Sequence, residues 1–159
     1  MKKERLEEIE SGGGSVNLSA RAKWRLSGGD RVRYLNGQVT QDVRKASSTG
    51  AVYACVTDVK GRICGDVFIR ASDDGESLLV DAEPELAESL GIRLERYIIA
   101  DDVELTEVTD DWSLWHVFGE AAKGINGVTN ERLGEPGVDL WLPRGERPPN
   151  LKPAVSLEE

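Results

Sequence analysis

The sequence is poor in the residues that hold metals and build disulfide frameworks: it has two cysteines and one histidine. Two cysteines make no scaffold, and no clustered Cys/His spacing suggests zinc. The lone His116 lies in an alternating strand run with nothing in the sequence to complete a catalytic triad. Its ordinary reading is a satisfied core or edge residue. No apolar run approaches a membrane span or the core of a signal peptide, so the expectation is a cytoplasmic protein with no membrane partner. Positive charge is also short, with 20 Lys and Arg against 29 Asp and Glu, a formal net charge of −9. Such a chain repels phosphates, and the basic stretch from Arg21 to Arg33 is too short to reverse that, so nucleic acid is not expected as a direct partner.

What the sequence does have is enough apolar content, 39%, for 159 residues to bury a core,. Its clearest local structure is a β-hairpin. Residues 51–57 and 63–70 are rich in Val, Ile, Phe and Tyr, and Gly61 sits between them where a short turn needs positive φ. With Asp58 facing Arg62 as the closing pair, opposed residue numbers sum to 120. Cys55 is then expected opposite Gly65 and Cys64 opposite Val56, with the two thiols on opposite faces and no disulfide. On the second strand Cys64, Asp66, Phe68 and Arg70 share one face, and Ile63, Val67 and Ile69 the other.

Around the hairpin the pattern predicts a strand over 22–26 and a short helix capped by Asp30 and closed at Asn36-Gly37. A strand over 77–81 and a helix over 84–99 follow, with strands over 103–108, 113–118 and 137–142. Leu86, Leu90, Leu94, Tyr97 and Ile98 form the stripe of the longer helix, which Gly91 interrupts. Residues 1–10 have the spacing of a short helix, and Ser11-Gly-Gly-Gly-Ser15 reads as a flexible joint. The order indicates an α+β fold with a mixed, largely antiparallel sheet, ferredoxin-like βαβ elements and two main helices. We divide the chain into a flexible segment 1–15, a domain 16–142 and an extended, proline-rich tail 143–159.

Three pieces of sequence then carry a resemblance. They are Leu18-Ser-x-Arg21 with Leu26-x-Gly28-x-Asp30 and Val39-Thr40-x-Asp42-Val43; Lys60-Gly61-Arg62-Ile63-x-x-Asp66; and Leu94-x-x-Tyr97-x-x-x-x-Asp102-Val103. Together, over about residues 16–142, they resemble the N-terminal part of the folate-binding superfamily of YgfZ proteins and glycine-cleavage T-proteins (aminomethyltransferases), to which the MnmE N-terminal domain is related. The resemblance implies tetrahydrofolate or a one-carbon derivative as ligand. T-proteins carry a Gly-x-x-Asp-Asp pattern whose second acid lies by the reacting folate nitrogen. Gly65-Asp66 stands in that place with the first acid lost, so any catalytic role falls to Asp66. The YgfZ motif Lys-Gly-Cys-Tyr-x-Gly-Gln-Glu does not occur in this chain. The expectation is therefore a folate-binding accessory module, a fragment or a lone first domain, serving one-carbon metabolism or iron–sulfur protein maturation. It would be completed by a homodimer partner or by a C-terminal domain not present here. An aminomethyltransferase and an interaction domain that has lost its ligand are the alternatives.

The candidate ligand-binding residues are Asp66, Phe68, Arg70, Lys60, Arg62 and Tyr97. Asp66 could accept a proton or hydrogen bond from the ligand, or be a solvent-face acid near Arg70. Lys60 and Arg62 could hold the glutamyl tail of folate, although a charged hairpin tip is ordinarily just solvated. Among Trp24, Trp112, Trp115 and Trp141, three are expected in the core or at an interface.

Overall fold

The computed structural model describes residues 13–148 and 154–155, so the expected N-terminal helix over 1–10 lies outside the described residues. The chain divides into two compact units, one of residues 21–109 and one of residues 1–20 with 110–159.

The unit of residues 21–109 is built on a five-stranded sheet with β2 (Ala22–Ser27), β3 (Val52–Thr57), β4 (Ile63–Ala71), β5 (Leu78–Ala82) and β6 (Glu104–Glu107), in the spatial order β3-β4-β5-β2-β6. Strands β5 and β6 each pair antiparallel with β2, on its two sides. They therefore run parallel to one another, and helix α2 (Ala87–Arg96) joins them across β2, which is the split βαβ element of a ferredoxin-like arrangement,. Helix α1 (Arg31–Asn36) follows β2. The apolar stripe of α2 behaves as its spacing requires: Leu90 and Leu94 are fully buried, and the Tyr34 hydroxyl of α1 donates to the Leu94 carbonyl at 2.7 Å,. Gly91 does not break the helix. A Cβ there would stand 3.4 Å from Trp24 Nε1, so the glycine lies against the indole in ordinary contact distance.

Both helices pack on one face of this sheet, where Trp24, Leu26, Val80, Ile69, Val67, Val56 and Ala54 are buried with Leu35, Leu90 and Leu94. Asp30 does not cap α1 with its side chain; its Oδ2 instead accepts from the Asp102 amide at 2.8 Å, tying the start of α1 to the segment before β6. Gly37 ends α1 at φ −78°, with no left-handed residue.

The hairpin differs from expectation in one detail with large effects. At the tip the register holds: Asp58 and Arg62 close the loop with a 2.8 Å ion pair, Gly61 has φ 78°, and Thr57 faces Ile63. The next pair is Val56 with Gly65, so Cys64 is an extra residue, a β-bulge,. Cys55 therefore lies opposite Asp66 rather than Gly65, and Cys64 is not opposite Val56 but packs against the helix-side core. Both thiols are free.

The other unit is a second five-stranded sheet, in the order β10-β1-β7-β9-β8. Its strands are β1 (Gly14–Asn17), β7 (Trp112–Phe118), β8 (Val128–Asn130), β9 (Gly137–Pro143) and β10 (Ala154–Val155). Three of these were not expected. Gly14 and Ser15, read as part of a joint, pair with Phe118 and Val117, and residues 154–155 of the expected tail pair parallel with β1. The region reads as a linker because it holds glycine and serine; once β7 offers an edge, backbone pairing does not depend on side chains.

His116 is the satisfied core residue expected of it on one nitrogen. Its Nδ1 lies 2.8 Å from Asp139 Oδ1, and Asp139 also accepts from Asn130 Nδ2 at 2.9 Å and Arg132 at 2.9 Å, all inside this unit. Burial works against charge on Asp139, but the bonds from His116, Arg132 and Asn130 win and hold its carboxyl below the ordinary value,. A group lowered on folding contributes stability that is whole above its unfolded value and is lost as pH falls through the folded one. Replacing Asp139 by Ala would remove the carboxylate that the buried Arg132 guanidinium and His116 Nδ1 share. We expect a loss of about 3–5 kcal/mol in denaturant unfolding at neutral pH, narrowing as the pH is lowered below about 4. A loss below about 1 kcal/mol would show that the cluster is not held by this carboxylate.

Candidate functional site

The face of the first sheet opposite the helices is polar, and three of its charged side chains, Lys23, Arg70 and Asp81, are buried. Register places Lys23 of β2 opposite Asp81 of β5, Asp81 opposite Phe68 of β4, and Phe68 opposite Tyr53 of β3. These four side chains form one transverse row. Asp66 and Cys55 face each other in the next row toward the hairpin tip, and Arg25, Leu79 and Arg70 align on the other side.

Specific bonds lock the row. The Tyr53 hydroxyl donates to Asp66 Oδ2 at 2.9 Å, and the Tyr53 and Phe68 rings pack with centroids 5.3 Å apart at 55°. Arg21, at the entrance to β2, lies over Phe68 with its guanidinium carbon 5.7 Å from the ring centroid,. Its Nε donates to Asp81 Oδ1 at 2.6 Å and its second arm to Glu83 at 3.3 Å. Lys23 is buried and its Nζ donates to the carbonyls of Arg21 and Thr109 at 2.9 and 3.2 Å. A chain of contacts thus runs Glu83, Arg21, Phe68, Tyr53, Asp66 across the sheet. Asp66 Oδ1 has no hydrogen-bond partner among the described residues, so this carboxylate keeps acceptor capacity beside a half-exposed aromatic pair,.

Of the residues expected at the site, the fold brings Asp66 and Phe68 together. Arg70 shares their face, but its guanidinium is turned to the Ala71 carbonyl and to Asp73. Lys60 and Arg62 are exposed at the hairpin tip, and Arg62 is taken up by Asp58. Tyr97 ends α2, packs against the helix-side core and lies 4.9 Å beneath the Arg93 guanidinium. It is on the other face of the sheet from Asp66. Tyr53, Arg21 and Asp81 were not among the candidate ligand-binding residues, although Arg21 belongs to the first piece of sequence that carries the resemblance. Strand alternation groups Tyr53 with Cys55, but only the bulge sets that pair, rather than Ala54 and Val56, beside Asp66. Of the tryptophans, Trp24 and Trp115 are buried, while Trp112 and Trp141 meet edge-to-face at 6.0 Å.

The gatherings of charge stop short of a metal centre: among the described residues no group of three or more His, Cys, Asp or Glu is placed to hold an ion. Nor is any described helix long and apolar enough to cross a membrane.

No protein-family model matches the chain. A relative from Pyricularia oryzae, named an iron–sulfur cluster assembly factor IBA57 homologue, mitochondrial, is 32% identical over 108 residues, 64% of this chain and 28% of the relative. A second of the same name, from Mycosarcoma maydis, is 31% identical over 144 residues, 84% of this chain and 30% of the relative. The chain therefore spans under a third of the length of either. Among solved structures, the glycine cleavage system aminomethyltransferase T from Bartonella henselae superposes with a TM-score of 0.68 over 87% of this chain and 44% of that one, at 14% identity. This likeness is one of fold.

The bond to Asp66 raises the Tyr53 phenol to about 12, since ionising it would set two negative charges side by side,. Burial also raises the Tyr34 phenol, so absorbance titration at the phenolate band should find both tyrosines ionising above the ordinary value, Tyr53 near 12, and only the Tyr53 component should answer to a change at Asp66. Asp66→Asn should return it toward 10, and an unchanged titration would mean that the two side chains do not meet in solution.

Proposed function

We propose, for a chain that belongs to the superfamily uniting YgfZ proteins with glycine-cleavage T-proteins, that it is a folate-binding accessory module with its ligand-reading group at Asp66. The observation that carries this is the pairing of a carboxylate that keeps one oxygen unengaged with the Tyr53–Phe68 aromatic pair on the helix-free face. A reduced pterin presents a planar pyrimidinone ring edged with N–H donors. An aromatic pair suits its face and a carboxylate suits its edge. Within this reading Asp66 accepts from the ligand, Tyr53 holds the Asp66 carboxylate in one orientation, and Arg21 braces Phe68 from Asp81 and Glu83. Lys60 stays available for a glutamyl carboxylate, while Arg62 would have to leave Asp58 to do the same.

The process served is proposed to be iron–sulfur protein assembly, supported by the names of both fungal relatives. Those relatives are named mitochondrial, so the cytoplasmic expectation gains no support from them. An aminomethyltransferase reading has fold likeness alone behind it.

Calorimetry with 5-formyltetrahydrofolate tests the ligand. Weak binding is expected, and Asp66→Ala should lower affinity about tenfold or more, the worth of about 1.5–3 kcal/mol for a hydrogen bond to a charged group. Equal affinities would remove Asp66 from the site. No binding by the unaltered chain would favour an interaction domain without ligand.

Self-association belongs to the same proposal, because a two-fold partner could supply the site with a second wall. Light scattering at micromolar concentration should then give a mass above that of the 17.4 kDa chain. A strict monomer would leave the ligand a single protein wall.

A further inference from the structure

A cavity of about 540 Å³ lies wholly within the unit of residues 1–20 and 110–159, apart from every residue of the folate proposal. That volume falls within the range that small-molecule sites occupy. Its walls are mostly bare backbone and short apolar side chains. Gly13, Gly119 and Gly137 contribute main chain, and Ala122, Pro136 and Val138 contribute the apolar lining. The glycines are required here: Gly13 has φ 73°, and a Cβ on it would fall 2.0 Å from the Phe118 carbonyl oxygen, so no larger residue can narrow this end,.

Charge lies among the lining residues and is unbalanced. Lys123 Nζ is bound to Glu120 at 2.9 Å, and those two neutralise each other. Glu135 also lines the cavity and has no hydrogen bond or ion pair among the described residues. Among the described residues the cavity therefore combines an apolar body with one uncompensated carboxylate, supplied by the loop that enters β9. Glu135 is exposed at the rim, so it attracts a cation and repels an anion at the mouth of the cavity, while the apolar lining receives the body of the ligand,.

We infer that this cavity binds a small organic cation, an ammonium or guanidinium carried on an apolar body, with Glu135 as the group that reads its charge. The same charge disfavours the glutamyl carboxylates of a folate, so the two sites take ligands of opposite sign. The inference does not rest on the folate reading.

A matched pair of probes tests it. Phenethylamine and phenylacetate have similar aromatic bodies and opposite charge at neutral pH. In amide ¹H–¹⁵N spectra of the full chain, phenethylamine at millimolar concentration should move the Gly13, Gly119 and Gly137 resonances in a saturable way, and phenylacetate should move them at least tenfold less. Glu135→Gln, a substitution at an exposed loop position that leaves the Asp139 cluster intact, should reduce the preference for the amine to within twofold. Its unchanged spectrum elsewhere would confirm folding. Absence of saturable shifts with the amine, equal response to both probes, or a preference that survives in Glu135→Gln would each overturn the assignment.

Discussion

One extra residue in one strand decides what the first sheet can do. Without Cys64 as a bulge, β3 and β4 would continue in the register set by the turn, and Asp66 and Phe68 would share their face with Ala54 and Val52. Either the acid would then turn toward the helices while Val67 and Ile69 turned away from them, or Ala54 and Val56 would leave the core, because a one-residue slip exchanges the faces of a whole strand. The bulge lets the turn keep its Asp58–Arg62 closure while the body of the hairpin puts Ala54, Val56, Val67 and Ile69 together under α2. Gly65, directly after the bulge, lets the helix come close: a Cβ there would stand 2.9 Å from Leu86 Cδ1 and 3.1 Å from Leu90 Cδ1. Burial of the apolar face thus selects the register, and the register places Asp66 beside Tyr53.

Both units bury charge, and in both the charge is held by several bonds rather than by one pair. Arg21 is shared between Asp81, Glu83 and the face of Phe68; Asp139 is shared between His116, Asn130 and Arg132. Desolvating an ion costs several kcal/mol, which a lone contact does not return, so such groups persist only where the surrounding backbone fixes each partner. The clusters differ in what they leave over. The Asp139 carboxylate meets three side chains, which suits a structural role. Asp66 is held at one oxygen and keeps the other, which suits recognition.

Much of this was legible in the chain. The turn at Gly61 with its Asp58–Arg62 closure, the stripe of α2, the strand character of β2 to β7 and β9, and the α+β class all follow from local pattern. Short-range sterics and the periodicity of apolar residues act within a few neighbours, and sequence records them directly. Asp66 and Phe68 could be named as a pair for the same reason, since residues two apart on a strand share a face.

What lay outside the sequence was everything that depends on a partner strand. The bulge has no signature in Ile63-Cys64-Gly65-Asp66 by itself; it resolves a conflict between turn geometry and core burial, and only the packed sheet contains that conflict. Tyr53 meets Asp66 and Phe68 only through the bulged register of the hairpin, Arg21 reaches Phe68 through the pairing of β2, β5 and β4, and β1, β8 and β10 form because neighbouring backbone is there to receive their hydrogen bonds. The sequence by itself determined which segments extend, coil or turn, and which acid stands out from an apolar strand. Tertiary structure decided which groups that acid meets, because side-chain contacts across a sheet are set by register, and register is a property of two strands and the core they bury together.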